Sequence, residues 1–387
     1  MLLLLFTSCI LLSVGVDAHK VLLINDIHLD IDSTAKYSEP GTPLNHLTLD
    51  KVLSEAADIE SKTGEAPEAI LLMGDMCKHG LAVEIDSETN NWDIMKKTMR
   101  EAIRVIVENF PSVPILPVLG NNDVVYHDQA PGSNFKDEFY GQLWEIMFEE
   151  VAANAHIAAN ETIKATWMEG GYYVYEIDHE TMVIALNGMY PFFENFEDKD
   201  MAWQMIDWVE ATLDANPDKH FITETHVFFG NNWYHNLEQL WNLTYTDKMM
   251  EILHKHQDRL IVSLGAHIHH VQVMAPKSVA VEDLNIVQVI SPAISPIYMN
   301  NPGYGVFHFS AKNGIEKLIF QFFQLEDFSR LGVVDFAEYD IMRYTGMDLN
   351  DANSVRDYLE GLYYNMQAYA GYISRNMGLR DFMAQGS

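Results

Sequence analysis

Short apolar runs that each stop at an acid, an amide or an imidazole organise this chain. Five carry that signature: VLLINDIH with Asp26 and His28, AILLMGD with Asp75, ILPVLGNND with Asn121 and Asp123, FITETH with His226, and LIVSLGAHIHH with His267 and His269. Brief, unbroken apolar stretches rich in Val, Ile and Leu read as strands buried on both faces. Between them, apolar positions recur at helical spacing over about Leu47–Ser61 and Trp92–Phe110, the second closed by Pro111. Further helices are predicted over Phe135–Ala153 and around Trp203 and Trp208. Tyr172–Ile177 and Met182–Leu186 read as a hairpin about Asp178-His179-Glu180, and His220–Thr223 as a strand. Later strands at Leu260–Leu264, Asn285–Ile290, Gly305–Phe309 and Leu318–Phe323 are shorter and more antiparallel in character. The expected fold is α/β, two packed mixed β-sheets flanked by helices over residues 19–325, followed by a helical C-terminal extension over 326–387.

In open α/β sheets, ligands bind at the carboxyl edge of the strands. Any one of these strand ends means little. A lone histidine such as His226 is more often a hydrogen-bonded structural residue, and an Asp-x-His pair such as Asp26 and His28 arises readily by chance. His267 and His269 alternate and so face one side of an extended segment, which suits ligation without requiring it. All five in one chain predict a metal site.

The first eighteen residues read as a secretory signal peptide: Leu2–Val16 is apolar, Val16 and Ala18 are small, and cleavage would fall before His19. The stretch lacks a leading positive charge, yet about 15 residues is short for a membrane span. Sequons at Asn160-Glu161-Thr162 and Asn242-Leu243-Thr244 agree with a secreted or lysosomal (vacuolar) address. Cys9 lies in the leader, so Cys77 is the one thiol beyond it and no intrachain disulfide is expected. Lys and Arg number 24 against 56 Asp and Glu, a formal net charge of -32. Nucleic acid and anionic membrane surfaces require basic patches, so neither is an expected partner, and no stable membrane insertion is expected.

In order, D-x-H, G-D, G-N-N-D, a strand-end His and H-x-H resemble the calcineurin-like metallophosphoesterases and their α-β-β-α sandwich. The resemblance implies two divalent ions, zinc foremost with iron or manganese as alternatives. Asp26, His28 and His269 would hold the first, Asn121, His226 and His267 the second, and Asp75 would bridge them. A carboxylate has lone pairs enough to bridge. Two ions about 3.5–4 Å apart clamp a phosphoryl group and turn bound water into hydroxide.

Finer features resemble the acid sphingomyelinase and endopolyphosphatase branch. They are Asp26-Ile27-His28-Leu29-Asp30 with Tyr37, Gly74-Asp75 with His79, Met201–Val209 with Gln204 and Trp208, Ser291-Pro292-Ala293-Ile294-Ser295-Pro296, and Asn300-Asn301-Pro302-Gly303. The branch implies that His79 reaches the substrate phosphate. Asn122 stands where many relatives have a catalytic histidine, Ala266 replaces a glycine, and His226-Val227-Phe228-Phe229-Gly230 replaces H-x-P-P-G. Since Asn122 cannot serve as a general acid, His79 becomes the first candidate for that role, with support of Asp75 as the alternative. The catalytic candidates are therefore His79, Asn122 and Asp123, the last as an orienting group. Asn187 is expected to line the site, Cys77 to pack, and His270 to lie exposed or behind the ligands.

The implied activity is hydrolysis of a phosphoric ester by a metal-bound hydroxide, with a sphingomyelin-type phosphodiester first and polyphosphate or a nucleotide anhydride second. The expected partner is a small phosphorylated substrate or phospholipid head group. A non-catalytic protein that holds metals for binding or anchoring is the alternative of another class.

Overall fold

Two six-stranded sheets each combine parallel and antiparallel strands, the parallel ones forming one half of the first sheet and the middle of the second. The structure, a computed structural model, describes residues 18–85, 87–233, 237–277 and 283–378. Residues 1–17 of the expected leader and residues 379–387 of the tail lie outside the described residues. In chain order the strands are β1 (His19–Ile24), β2 (Ala69–Met73), β3 (Ile115–Val118), β4 (Tyr173–Glu176), β5 (Thr181–Ala185) and β6 (His220–Glu224). Then follow β7 (Leu260–Gly265), β8 (Gln272–Met274), β9 (Gln288–Ile290), β10 (Gly303–Ser310), β11 (Gly314–Phe323) and β12 (Phe336–Asp340).

The first sheet runs β12-β11-β10-β1-β2-β3 and the second β8-β9-β7-β6-β5-β4. In the first, β1, β2 and β3 are parallel. In the second, β5, β6, β7 and β9 are parallel. Parallel neighbours need long crossovers. Helices His46–Lys62 and Trp92–Asn109 supply them in the first sheet, Lys199–Ala215 and Leu243–Lys255 in the second. Each helix packs through a stripe, as where Met95, Met99, Ala102 and Ile106 are buried. Every residue of β1 and β2 is buried, the pattern of strands covered on both faces.

The two sheets share one apolar core. They also touch through polar groups. The Tyr173 hydroxyl on β4 donates to the Pro117 carbonyl on β3 at 3.0 Å. His19, opening β1, bonds Glu68 at 2.9 Å and, through its other nitrogen, Asp178 in the β4–β5 turn at 3.1 Å.

Three local expectations need correction. The helix expected over Phe135–Ala153 ends at Trp144, passes through a π-helical turn at Glu145–Glu149, and closes in a 3-10 turn at Ala152–Asn154. Buried Asn154 explains the break, because its side chain bonds both the N–H and the carbonyl of Ile115 at 2.8 Å. It thereby covers the open edge at β3, a liability that sheets usually protect. The strand expected over Asn285–Ile290 contracts to β9. The tail is helical at Leu325–Leu331, Ile341–Thr345, Ala352–Tyr363 and Met366–Asn376, but it also contributes β12 to the first sheet. Among the described residues no helix is long and apolar enough to cross a membrane.

The His19 contacts carry a pH signature. Its bond to Glu68 outweighs burial, and Asp178 adds to it, so the imidazole is raised above its ordinary value. A raised histidine stabilises the fold below its unfolded value near 6.5 and loses that contribution as pH rises through the folded value. The variant His19→Gln is expected to lose about 1 kcal/mol at pH 5 and little at pH 8. Thermal unfolding at the two pH values measures the difference, and equal losses would contradict the assignment.

Candidate metal centre

All five apolar runs end on one seam between the sheets. Beyond β1, β2 and β7 the chain enters the left-handed region, with φ of 48° at Asp26, 44° at His28, 56° at Asp75, 78° at His267 and 65° at His269. Asp and His tolerate that region better than most residues, but each instance costs about 1–3 kcal/mol and persists only where the surroundings enforce it. Here backbone bonds enforce it. Asp26 N–H donates to the Gly74 carbonyl and His28 N–H to the Asp75 carbonyl, both at 3.0 Å. The Ser291–Pro296 segment straps the loops together: Ile294, Ser295 and Ala293 donate to the carbonyls of Asn25, Asp26 and His269. The tail closes behind them, with Val271 N–H on the Asn376 carbonyl and Asn301 N–H on that of Met377, both at 3.1 Å. Gly120 is required by proximity, since a Cβ there would lie 2.1 Å from Asp75 Oδ1.

The side chains converge. Asp26 Oδ1 lies 3.4 Å from His269 Nε2, 3.7 Å from His28 Nε2 and 3.9 Å from His226 Nε2. Asp75 Oδ2 stands between His28 and His226, at 3.5 and 3.4 Å. Asn121 Oδ1 is 3.1 Å from His226 Nε2 and 3.0 Å from His267 Nδ1. The structure thus brings together all seven predicted ligands.

What faces what is informative. His28 Nδ1 donates to the Cys77 carbonyl at 3.1 Å and His226 Nδ1 to that of Met73 at 2.7 Å. A carbonyl only accepts, so each neutral ring turns a lone pair inward from Nε2. His28 Nε2 then meets His269 Nε2 at 3.1 Å, and His226 Nε2 meets the Asn121 carbonyl oxygen. Asp26 Oδ1 is buried without a hydrogen-bond partner. With the rings neutral, acceptors face acceptors, and a buried site must place positive charge between them, as protons or as metal ions. Two donor groups, Asp26 with Asp75 and His226, and His28 with His79 and His269, are each compact enough to hold an ion. Imidazole mixed with carboxylate suits zinc, iron or manganese, so the residues fit the implied ions.

The ionisations tell the same story. Burial pushes Asp75 up, but His226 and His28 more than offset it and hold the carboxyl well below the usual range. Burial would lower His226, yet Asp75 and Asp26 drive it up to about 10. His267 falls to about 4 because it is buried and faces His226. The two carboxylates thus demand positive charge, which the imidazoles can meet only in part.

The remaining predicted residues divide. Asp123 is fully buried behind the site and accepts four backbone N–H groups, from Asp75 and Gly120 on one oxygen and from Met76 and Cys77 on the other. It orients the Asp75 loop and does not line the cavity. Asn122 donates to Asp75 through its backbone N–H at 2.8 Å and its side-chain nitrogen at 2.7 Å. His79 is exposed at the cavity mouth, its ring edge-on to His28 with centroids 4.4 Å apart. Asn187 departs from expectation. Its side-chain nitrogen donates to the Tyr140 hydroxyl and the Gly170 carbonyl, which ties those groups together and keeps it from lining the cavity. His270 is buried, not exposed, and burial takes its imidazole down to about 4. Cys77 packs in the core as expected.

A cavity of about 460 Å³ opens onto Asp75, Asn121, Asn122, His79, His267 and His269. Its outer wall contains residues the sequence reading passed over: His127, Asp128, Glu194, Glu238, Phe192 and Tyr298. His127 could have been suspected, since His127-Asp128 lies just beyond G-N-N-D. Glu194, Glu238, Phe192 and Tyr298 come from segments with no local pattern.

A fold of paired mixed sheets with donors at parallel strand ends defines the class, and sequence comparison agrees: residues 19–271 match the calcineurin-like phosphoesterases. The chain belongs to that family. It is similar to a sphingomyelinase phosphodiesterase D of Dictyostelium discoideum, 22% identical over 308 residues that cover 76% of this chain and 64% of that protein. It is also similar to a cyclic GMP-AMP phosphodiesterase of Rattus norvegicus, 24% identical over 308 residues, covering 74% and 64%. The chain therefore spans about 64% of the length of these curated relatives. A dimetal phosphatase structure from Danio rerio superposes with a TM-score of 0.49 at 9% identity, covering 78% of this chain and 95% of that one. The relatives' names bear out the resemblance to the sphingomyelinase branch.

The orienting role of Asp123 is testable. In Asp123→Asn an amide nitrogen would face backbone donors, so stability is expected to fall by about 2–4 kcal/mol. Metal content is expected to fall with it. Denaturant titration and elemental analysis read the two effects, and a variant as stable as the parent would remove the assignment.

Proposed function

We propose that this chain is a metal-dependent hydrolase of phosphoric diesters. The observation that carries the reading is the convergence of seven donor side chains whose lone pairs point at one another. Asp26, His28 and His269 would hold one divalent ion and Asn121, His226 and His267 another, with Asp75 shared and His79, close to His28 and His269, left for the substrate. Zinc is the first choice, iron or manganese the next. When bound, such ions activate water and neutralise charge on the phosphoryl group.

The side chains around them do the rest. The Cys77 and Met73 carbonyls fix the tautomers of His28 and His226. Asn122 spends its amide nitrogen on Asp75 and so supports a ligand instead of contacting phosphate. That leaves His79, at the mouth beside His28, as the group that meets the substrate phosphate and hands a proton to the departing oxygen. Both named relatives act on phosphodiesters, which supports a sphingomyelin-type diester ahead of an anhydride. The exposed sequon residues Asn160 and Asn242, each capping a helix, support a glycosylated, secreted or lysosomal form.

Turnover of bis-p-nitrophenyl phosphate across pH 4–8, with and without chelator, tests the reading. Activity is expected to require about two ions per chain and to vanish with chelator. Asp75→Asn should abolish both metal and turnover, with a loss of about a thousandfold or more, whereas Cys77→Ser should leave both near the parent values. A metal-loaded protein without turnover would favour a non-catalytic, metal-holding role.

A further inference from the structure

The amide of Asn121 has one end that can ligate a cation and one that cannot. Its Oδ1 faces inward, 3.1 Å from His226 Nε2 and 3.0 Å from His267 Nδ1. Turned end for end, the same side chain would present Nδ2 there instead. That nitrogen would donate to His226 Nε2, which carries a lone pair because His226 Nδ1 is bound to the Met73 carbonyl. Before an ion arrives, His226 therefore favours the wrong end of the amide. A contact on the outer side must decide.

The outer contact is His127. Its Nε2 lies 3.3 Å from Asn121 Nδ2, and its Nδ1 lies 2.7 Å from Asp128 Oδ2. A carboxylate only accepts, so the neutral ring carries its hydrogen on Nδ1 and a lone pair on Nε2. That lone pair accepts from the Asn121 amide nitrogen. The turned amide would set its oxygen against the same lone pair, acceptor against acceptor. Donation thus runs in one direction, from amide to imidazole to carboxylate.

The backbone holds this pair in place. His127 N–H donates to the Val83 carbonyl at 2.9 Å, and the side-chain nitrogen of Gln129 donates to the Glu194 carbonyl at 2.9 Å. Asp128 between them has a φ of 63°, in the left-handed region. Such a conformation costs about 1–3 kcal/mol and persists where the surroundings impose it. Asp128 belongs to the acidic outer wall of the cavity with Glu84, Glu194 and Glu238, and its carboxylate turns to the ring.

We propose that His127 and Asp128 form a positioning pair that locks the Asn121 amide with its oxygen toward the second ion. The inference rests on the metal centre of the proposed function. It gives the pair a task that precedes any chemistry and requires no contact with substrate.

The test reads metal rather than turnover. Parent and variant full chains are loaded with zinc and dialysed, elemental analysis counts the ions, and competition with a chromogenic chelator gives their affinities. Asp128 raises the His127 ring above its ordinary value, so the measurement is made at about pH 8, where the ring is neutral. In His127→Ala one ion is expected to bind about tenfold less tightly or worse, with the other unchanged. His127→Gln offers an oxygen where Nε2 stood and should recover affinity to within about threefold of the parent. In Asn121→Asp both ends of the side chain are oxygen and no lock is required, so adding His127→Ala should change affinity by less than about twofold. A histidine that only fills space would give the same loss in both backgrounds.

Parent affinity for both ions in His127→Ala, a glutamine variant no better than alanine, or a loss that persists beside Asn121→Asp would overturn the inference and leave the metal centre standing. A parent chain that takes up no zinc would overturn both. The expected pattern in a protein that cannot cleave bis-p-nitrophenyl phosphate would uphold the lock and overturn the hydrolase reading alone.

Discussion

Acceptor atoms held face to face in a dry site are the constraint on which the rest of this structure turns. Asp26 and Asp75 sit with His28, His226 and His269 at distances that leave room for little except a cation. Left alone, such a cluster would repel itself apart or collect protons, as the elevated His226 indicates. The fold resists the first outcome with backbone hydrogen bonds at Asp26, His28, Asp75 and His269, and the Asp26 carboxylate takes the N–H of the fifth left-handed residue, His267. Strain of this kind survives only in a rigid frame. The broad core and the strap at Ser291–Pro296 provide that frame.

Neither sheet holds the site alone. The first supplies Asp26, His28, Asp75 and Asn121 from the ends of β1, β2 and β3; the second supplies His226, His267 and His269 from β6 and β7. The geometry of the centre is therefore the geometry of sheet packing. Polar contacts across that packing, from Tyr173 to Pro117 and from His19 to Asp178, help to set the register of one sheet on the other. A substitution at the seam far from the ligands can disturb the site by shifting one half of it.

The converging donors were legible because each follows its strand within a few residues: the apolar run marks the element, and the polar residue that ends it marks the edge. None of Asp26, Asp75 and His226 sufficed alone, but five such strand ends in one chain did. Long-range partners were not legible. Nothing local to Asn122 says that Asp75 will claim its amide nitrogen, and nothing in Leu186-Asn187-Gly188 says that Tyr140 will claim that of Asn187. The acidic wall escaped notice because Glu84, Asp128, Glu194 and Glu238 come from separate segments and meet only in three dimensions. The helix expected after Phe135 failed for a similar reason, since its break serves the β3 edge through Asn154. β12 was hidden within a tail whose remaining segments are helical.

The bonds from Val271 to Asn376 and from Asn301 to Met377 set a timetable for biogenesis. The earliest donors, Asp26 and His28, leave the ribosome long before His269, and the residues that brace the His269 loop leave later still. Contacts between such distant positions form late and slowly. The first sheet's donors are therefore made before the second sheet's, and the full cluster of donors exists only once the two sheets have packed.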